Sequence, residues 1–285
     1  MTNPITLVLF SLVFNGCNDV TYKKYALKVR SRGLMIAGAG AVWGIWQTVF
    51  LQTLGPGLAF DAATASFGIA CGLVLVLANI LYLECLAHLD ISLGTTIYRL
   101  NTIGVVVMSW LFLGESLGLY KLAAIALGIT AVIILYKPPA AIVMAGSIRI
   151  FLLLIIGATL LRSSYGIIAK YAVNHGAGIQ AMVPYTALCW VAGGLAYAWL
   201  KERTLEITPK LVIYAVASGS LIFLTVATLM QAISLADVST VIPIANCSFI
   251  IALLLSALLK LEAITKRKLI AITMAAASII MLSRL

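Results

Sequence analysis

Runs of about 20 mostly apolar residues follow one another along the whole chain, and very few folds can hold such a sequence. The hydrocarbon core of a bilayer is about 30 Å thick and takes about 20 helical residues to cross. Inside it every backbone N–H and C=O must be satisfied within the protein, so only helices and closed barrels span it. These runs are continuous and lack period-two alternation, which selects helices over barrel strands. The composition agrees: 63% of the 285 residues are hydrophobic and 10% are charged. A soluble domain has about 45–50% and about 25%, so soluble, disordered and disulfide-scaffold classes are excluded. The expected fold is an all-α polytopic membrane protein.

Ten spans are expected: Ile5–Leu27, Gly33–Leu54, Thr64–Ala87, Ile91–Leu113, Leu117–Tyr136, Ile148–Tyr171, Ile179–Leu200, Leu211–Ser234, Val238–Leu259 and Lys266–Leu282. The connections are short, as at His88–Asp90 and Leu235–Asp237. Little is left for a soluble domain, so the function must lie within the membrane.

The net charge of +10 sits unevenly. One side of the expected topology collects Lys23, Lys24, Lys28, Arg30, Arg32, Lys137, Arg149, Lys201, Arg203, Lys210, Lys260, Lys266, Arg267 and Lys268. The other has Lys121, Lys170 and Arg284. The excess of lysine and arginine marks the cytoplasmic side, which puts both termini outside it. The charge is a property of loops facing anionic lipid, with no nucleic-acid partner implied. No basic residue precedes Lys23, so the first span is expected to stay uncleaved.

A shift of 147 residues lays the second half on the first. Leu89–Ser92 falls on Ala236–Ser239, the segment around Glu115 on that around Glu262, and Lys121 on Lys268. With one residue of slip, Lys24–Ala26 meets Lys170–Ala172. Five spans is an odd number, so the halves, 1–140 and 141–285, run through the membrane in opposite directions. Inverted repeats of this kind build many secondary transporters, with substrate near the bilayer midplane at their interface.

The five-helix halves, the lysine closing the first span and the Leu-Gly-Glu turn at Leu113–Glu115 resemble the EamA branch of the drug/metabolite transporter superfamily. Phe112–Tyr136 matches that family's ending, while Leu259–Leu282 is degenerate, with Lys260 and Leu261 in place of Leu-Gly. The resemblance implies a ten-helix transporter whose spans five and ten are peripheral and whose other eight line a central cavity. Family members usually keep both termini in the cytoplasm, and the charge bias here says the reverse.

Four ionisable residues lie within the spans: Asp19, Glu84, Arg99 and Arg162. Each costs about 2.5–3.5 kcal/mol at a span centre. Two acids and two bases can pair, and Glu84 with Arg99 across a short hairpin is either a packing device or part of the cavity wall. In the repeat they correspond to Gln231 and Asn246, polar but uncharged. Asn15, Asn18 and Asp19 share span one, with Asp19 facing either the interior or the basic loop near Lys23. Arg162, beside Ser163 and Tyr165, is the strongest candidate to meet a carboxylate or phosphate, because its planar fork matches them; a salt bridge to Asp19 is the alternative. Asn101 adds a polar group, and Trp43, Trp46, Tyr82, Tyr98 and Tyr185 offer ring faces to a ligand or to neighbouring helices. Pro184 and Pro243 are expected to kink spans seven and nine.

Nucleophile-elbow, zinc-helix and Walker A patterns are missing, so no enzymatic or ATP-driven function is expected. Two histidines and five scattered cysteines suggest neither a metal site nor a cofactor. The reading is a secondary active transporter, exporter or exchanger, of a small polar or amphiphilic metabolite. Amino acids and related zwitterions lead, with Asp19 or Glu84 as proton carriers or a counter-substrate driving exchange. Alternatives are a carrier or flippase for nucleotide-sugar, phosphorylated or lipid-linked substrates, and a non-transporting membrane subunit or ligand sensor. The expected setting is a bacterial inner membrane, with a homodimer as an allowed assembly.

Overall fold

A computed structural model describes residues 3–26, 30–53, 61–88, 97–98, 100–114, 116–135, 145–259 and 265–283. They form α1 (Pro4–Ala26), α2 (Arg32–Thr53), α3 (Ala62–His88), α4 (Asn101–Leu113), α5 (Leu119–Leu135), α6 (Ala145–Asn174), α7 (Val183–Tyr197), α8 (Pro209–Leu235), α9 (Val238–Asn246), α10 (Phe249–Leu258) and α11 (Lys266–Ser283). No strand occurs among the described residues. Six segments are long and apolar enough to cross a membrane: Pro4–Tyr22, Arg32–Thr53, Ala62–Tyr82, Ile150–Asn174, Val183–Glu202 and Pro209–Leu235. The described parts of expected spans four, five and nine are shorter apolar helices, Asn101–Leu113, Leu119–Ala131 and Val238–Ala252. Arg99, Glu115 and Glu262 lie outside the described residues.

The helices pair in a reciprocal pattern. α1 packs on α8 and α3 on α6; α2 lies against α7 and α8, and α7 against α2 and α3. α5 and α11 pair with each other. Small residues set these distances, because a helix pair can approach no closer than its side chains allow. A Cβ on Gly194 would stand 2.6 Å from the Ala37 nitrogen and 2.7 Å from the Gly33 carbonyl oxygen, so α2 and α7 touch backbone to backbone. Glycines four apart make two more close approaches: Gly40 and Gly44 face Ala187, Gly68 faces Met182 and Tyr185, and Gly72 faces Cys189.

Three spans depart from a simple rod. Expected span nine is two helices, parted by a turn at Cys247–Ser248 four residues after Pro243. Proline has no N–H to donate and its ring crowds the preceding turn, and here the ladder gives way just beyond it. In span four a turn at Leu100 precedes α4, with the Leu100 N–H on the Ile97 carbonyl at 3.0 Å. Pro184, expected to kink span seven, instead occupies the first turn of α7. Its missing N–H is no loss there. α7 then continues through a π-helical turn, Ala198–Glu202, that ends at Arg203 with φ 55°.

The ends of the bundle are tied by polar groups. Glu202 Oε1 accepts the Arg32 N–H at 2.8 Å, and its Oε2 accepts the Ser31 hydroxyl at 2.5 Å, which fastens the end of α7 to the start of α2. Arg267 bonds the Ile134 carbonyl and joins α11 to α5 on the same, basic, face. On the opposite face Asp61 caps α3, taking the Thr64 N–H at 2.8 Å. Hydrogen bonds from the Thr64 N–H and hydroxyl hold the Asp61 carboxyl below its ordinary range. A lowered folded value means the cap is complete above the ordinary carboxylate pKa and fades as pH falls through the folded one. Asp61→Ala is therefore expected to speed amide exchange at Thr64 relative to the parent chain at neutral pH, and the difference should vanish in acid.

Candidate functional site

Arg162 is at the midpoint of the Ile150–Asn174 span. Its guanidinium lies over the Tyr98 ring, 5.2 Å from the centroid. Tyr98 in turn stacks on Tyr82 of α3, with centroids 4.1 Å apart and planes at 11°. Two aromatic layers thus form a floor beneath one cation, held by α3, the Ile97–Leu100 turn and α6. The Tyr98 hydroxyl is buried without a hydrogen-bond partner among the described residues. Asp19 and Tyr165 are close enough to act on Arg162 electrostatically.

The expected partner Asp19 acts on the Arg162 charge from within the same bundle. That arrangement matters because a desolvated cation at this depth is costly unless something compensates it. Aromatic faces attract a guanidinium, worth about 2 kcal/mol or more when desolvated, but they donate no lone pair to its five N–H groups. The Tyr98 hydroxyl interacts with the guanidinium, and a fork of five N–H groups can serve further acceptors. Such a donor-rich group fits an acceptor-rich, anionic partner.

Neutral polar residues continue the seam. Asn246, the last residue of α9, donates its amide to Asn101 Oδ1 and to Thr102 Oγ1, each at 2.8 Å. The two interrupted spans thus cross beside their breaks. Ser163 donates to the Asn101 carbonyl at 2.9 Å. On the other flank Asn15 donates to Ser248 Oγ at 3.0 Å, and Ser218 donates to Asn18 Oδ1 at 2.7 Å. Tyr165 reaches only the Met230 sulfur, at 3.8 Å.

Other expected residues lie elsewhere. Arg99 lies outside the described residues, and with it the expected pair with Glu84. Glu84 accepts the Tyr197 hydroxyl at 2.8 Å and lies 3.7 Å from Lys201. A carboxylate one turn from the end of a span gains by reaching the basic face, and Glu84 does so. Trp46 is 46% exposed, bonded to Ser220 and stacked near Phe223 on the outside of α2. Trp43 is fully buried, edge-on to Trp190 with centroids 5.7 Å apart. Tyr185 stands beside Gly68, and Gln231 is half-buried in α8.

Sequence reasoning passed over Trp190, Ser218, Ser248 and Thr102. The 147-residue register held a signal for two of them: it lays Trp43 on Trp190, and Asn101 on Ser248. It also lays Asn15 on Arg162, so the seam has one charged and one neutral flank.

Comparison with known proteins places this geometry. Residues 149–284 match the EamA-like transporter family. The matched region is the half whose ending looked degenerate, while the segment that carried the resemblance, Phe112–Tyr136, precedes it. A solved crystal structure of a protein 13% identical shares the fold with a TM-score of 0.82, over 98% of this chain and 95% of its own. No curated protein matches the sequence.

Proposed function

We propose, on the premise that residues 149–284 belong to the EamA-like transporter family of the drug/metabolite transporter superfamily, that this chain is a secondary active transporter of small zwitterions, with amino acids first. The carrying observation is the mid-membrane guanidinium of Arg162 on its tyrosine floor, with the charge of Asp19 acting on it. A carboxylate from the ligand completes the guanidinium, and an ammonium group answers Asp19. The ligand's two charges are thus matched by one cation and one carboxylate of the chain.

Two inverted five-helix halves, 1–140 and 141–285, are the proposed framework. Reciprocal contacts support it. Gly72 abuts Cys189, and Gly219 abuts Val42; a shift of 147 residues exchanges the two contacts. The same shift relates Ser163, at the Asn101 carbonyl, to Gly16, whose Cβ would meet the Ser248 carbonyl. It relates the turn at Leu100 to that at Cys247. Such a pseudo-two-fold axis lets the halves trade conformations, which is the basis of alternating access around a midplane site.

The basic face is proposed as cytoplasmic, with both termini on the other side. Asp19 or Glu84 is the proposed proton carrier.

The test is ligand stabilisation of the purified protein across a metabolite panel, followed by flux in proteoliposomes. A ligand at 100 times its dissociation constant adds about 2.7 kcal/mol to apparent stability. Amino acids are expected to raise the melting temperature. Stabilisation by nucleotide-sugars or phosphorylated compounds instead would replace this substrate class, and binding without flux would mark a sensor.

A further inference from the structure

Two described lysines lie on the face opposite the basic one, and both turn inward onto the same turn. Lys121 stands in the first turn of α5, where the helix dipole disfavours a cation. Its side chain is nevertheless only 8% exposed, because it donates to Asp237 Oδ2 at 3.1 Å. Lys170, near the end of α6, donates to the carbonyls of Ile233 at 2.9 Å and Ala236 at 3.1 Å. Ile233, Ala236 and Asp237 make the connection from α8 to α9.

α9 itself is a short rod. Its nine residues span about 13.5 Å at about 1.5 Å per residue, a little under half of the hydrocarbon core. One end is held by Lys121 at the membrane face. The other is Asn246, bonded to Asn101 and Thr102 beside the seam, and the helix breaks immediately after it. A rod fastened at one end and jointed at the other can swing when the fastening is released. The fastening is reachable from water, since the Asp237 side chain is 54% exposed while its lysine partner is shielded.

We propose that Lys121 and Lys170 form a latch on the α8–α9 turn. While it holds, α9 closes the polar seam from this face. When Asp237 is released, α9 tilts about the Cys247–Ser248 joint and opens the seam to the same face. The proposal rests on reading the seam as the substrate path and adds the contact that controls access to it.

Cys247 sits at the joint with 5% exposure and serves as a reporter. In a chain whose other four cysteines are replaced, a membrane-impermeant maleimide is applied to one face of sealed vesicles at a time. Asp237→Asn and Lys121→Gln are expected to raise labelling from the α9 N-terminal face at least tenfold and leave the rate from the basic face unchanged. The reversed pair, Lys121→Asp with Asp237→Lys, should return the parent rate. A rise from both faces alike would mean general loosening and would overturn the latch, as would an unchanged rate in variants with the parent's melting temperature. If Lys121→Gln does not fold, Asp237→Asn alone decides, because its side chain is the exposed partner. No substrate enters this assay, so its failure leaves ligand binding at Arg162 standing, and loss of that binding leaves the sidedness of labelling intact.

Discussion

Arg162→Gln is expected to abolish ligand stabilisation and flux while making the ligand-free protein more resistant to heat. The two effects have one origin. In the ligand-free state the guanidinium is a mid-membrane charge on a tyrosine floor, with Asp19 acting on it electrostatically. Such a charge costs about 2.5–3.5 kcal/mol on insertion scales, and glutamine relieves part of that cost. With ligand bound, removing one partner of a buried charge pair costs about 2–5 kcal/mol. At about 1.4 kcal/mol per tenfold, affinity falls by at least about thirtyfold. Arg162→Lys should recover little, because a point charge cannot reproduce the bidentate fork. Melting curves with and without ligand check both halves. A variant that melts lower without ligand and still binds it would make Arg162 a packing residue and remove the central support of the transport reading.

Gly194→Ala should be the most damaging single methyl group in the bundle. The new carbon would stand 2.6 Å from the Ala37 nitrogen and 2.7 Å from the Gly33 carbonyl oxygen, and backbone cannot rotate away as a side chain can. α2 and α7 must separate, and with them the Trp43–Trp190 contact and the clamp of Glu202 on the start of α2. Overpacking typically costs about 1–3 kcal/mol, and a clash with two backbone atoms belongs at or above the top of that range. Gly157→Ala is the control: nothing lies within 4 Å of its Cβ position, so the change should be neutral or stabilise α6 by about 1 kcal/mol. Recovery of folded protein and its melting temperature in detergent distinguish the two. Equal behaviour would mean that the α2–α7 approach does not limit stability.

Much of the architecture was legible because it is written in single segments. The apolar runs located α1, α2, α3, α6, α7 and α8 to within a few residues, and Arg162 stood out as a charge where hydrocarbon was expected. What misled was position relative to other helices. Pro184 looked interior because the apolar run began before it, but the helix starts beside it. Trp46 shares a helix with Trp43 and is only three residues away, yet one packs on Trp190 and the other lies outside against Phe223. Glu84 was matched by depth and hairpin length to Arg99, which lies outside the described residues, while its described partners, Tyr197 and Lys201, come from more than 100 residues further along. Lys121 and Lys170 counted as the minority charges of a face, with nothing to mark them as anchors of one turn.

Hydropathy, length and the placement of lysines and arginines determined by themselves that this chain lies in a membrane as a helical bundle with one basic face. Those are properties of each segment against its solvent, and they add along the chain. Only the tertiary structure decided that the Arg162 guanidinium lies over Tyr98, itself stacked on Tyr82, that Asn246 meets Asn101 at the crossing of two broken spans, and that Lys121 holds Asp237. Each is a contact between residues distant in sequence, fixed by how closely glycine-lined helices approach and by which polar groups must find one another once water is gone.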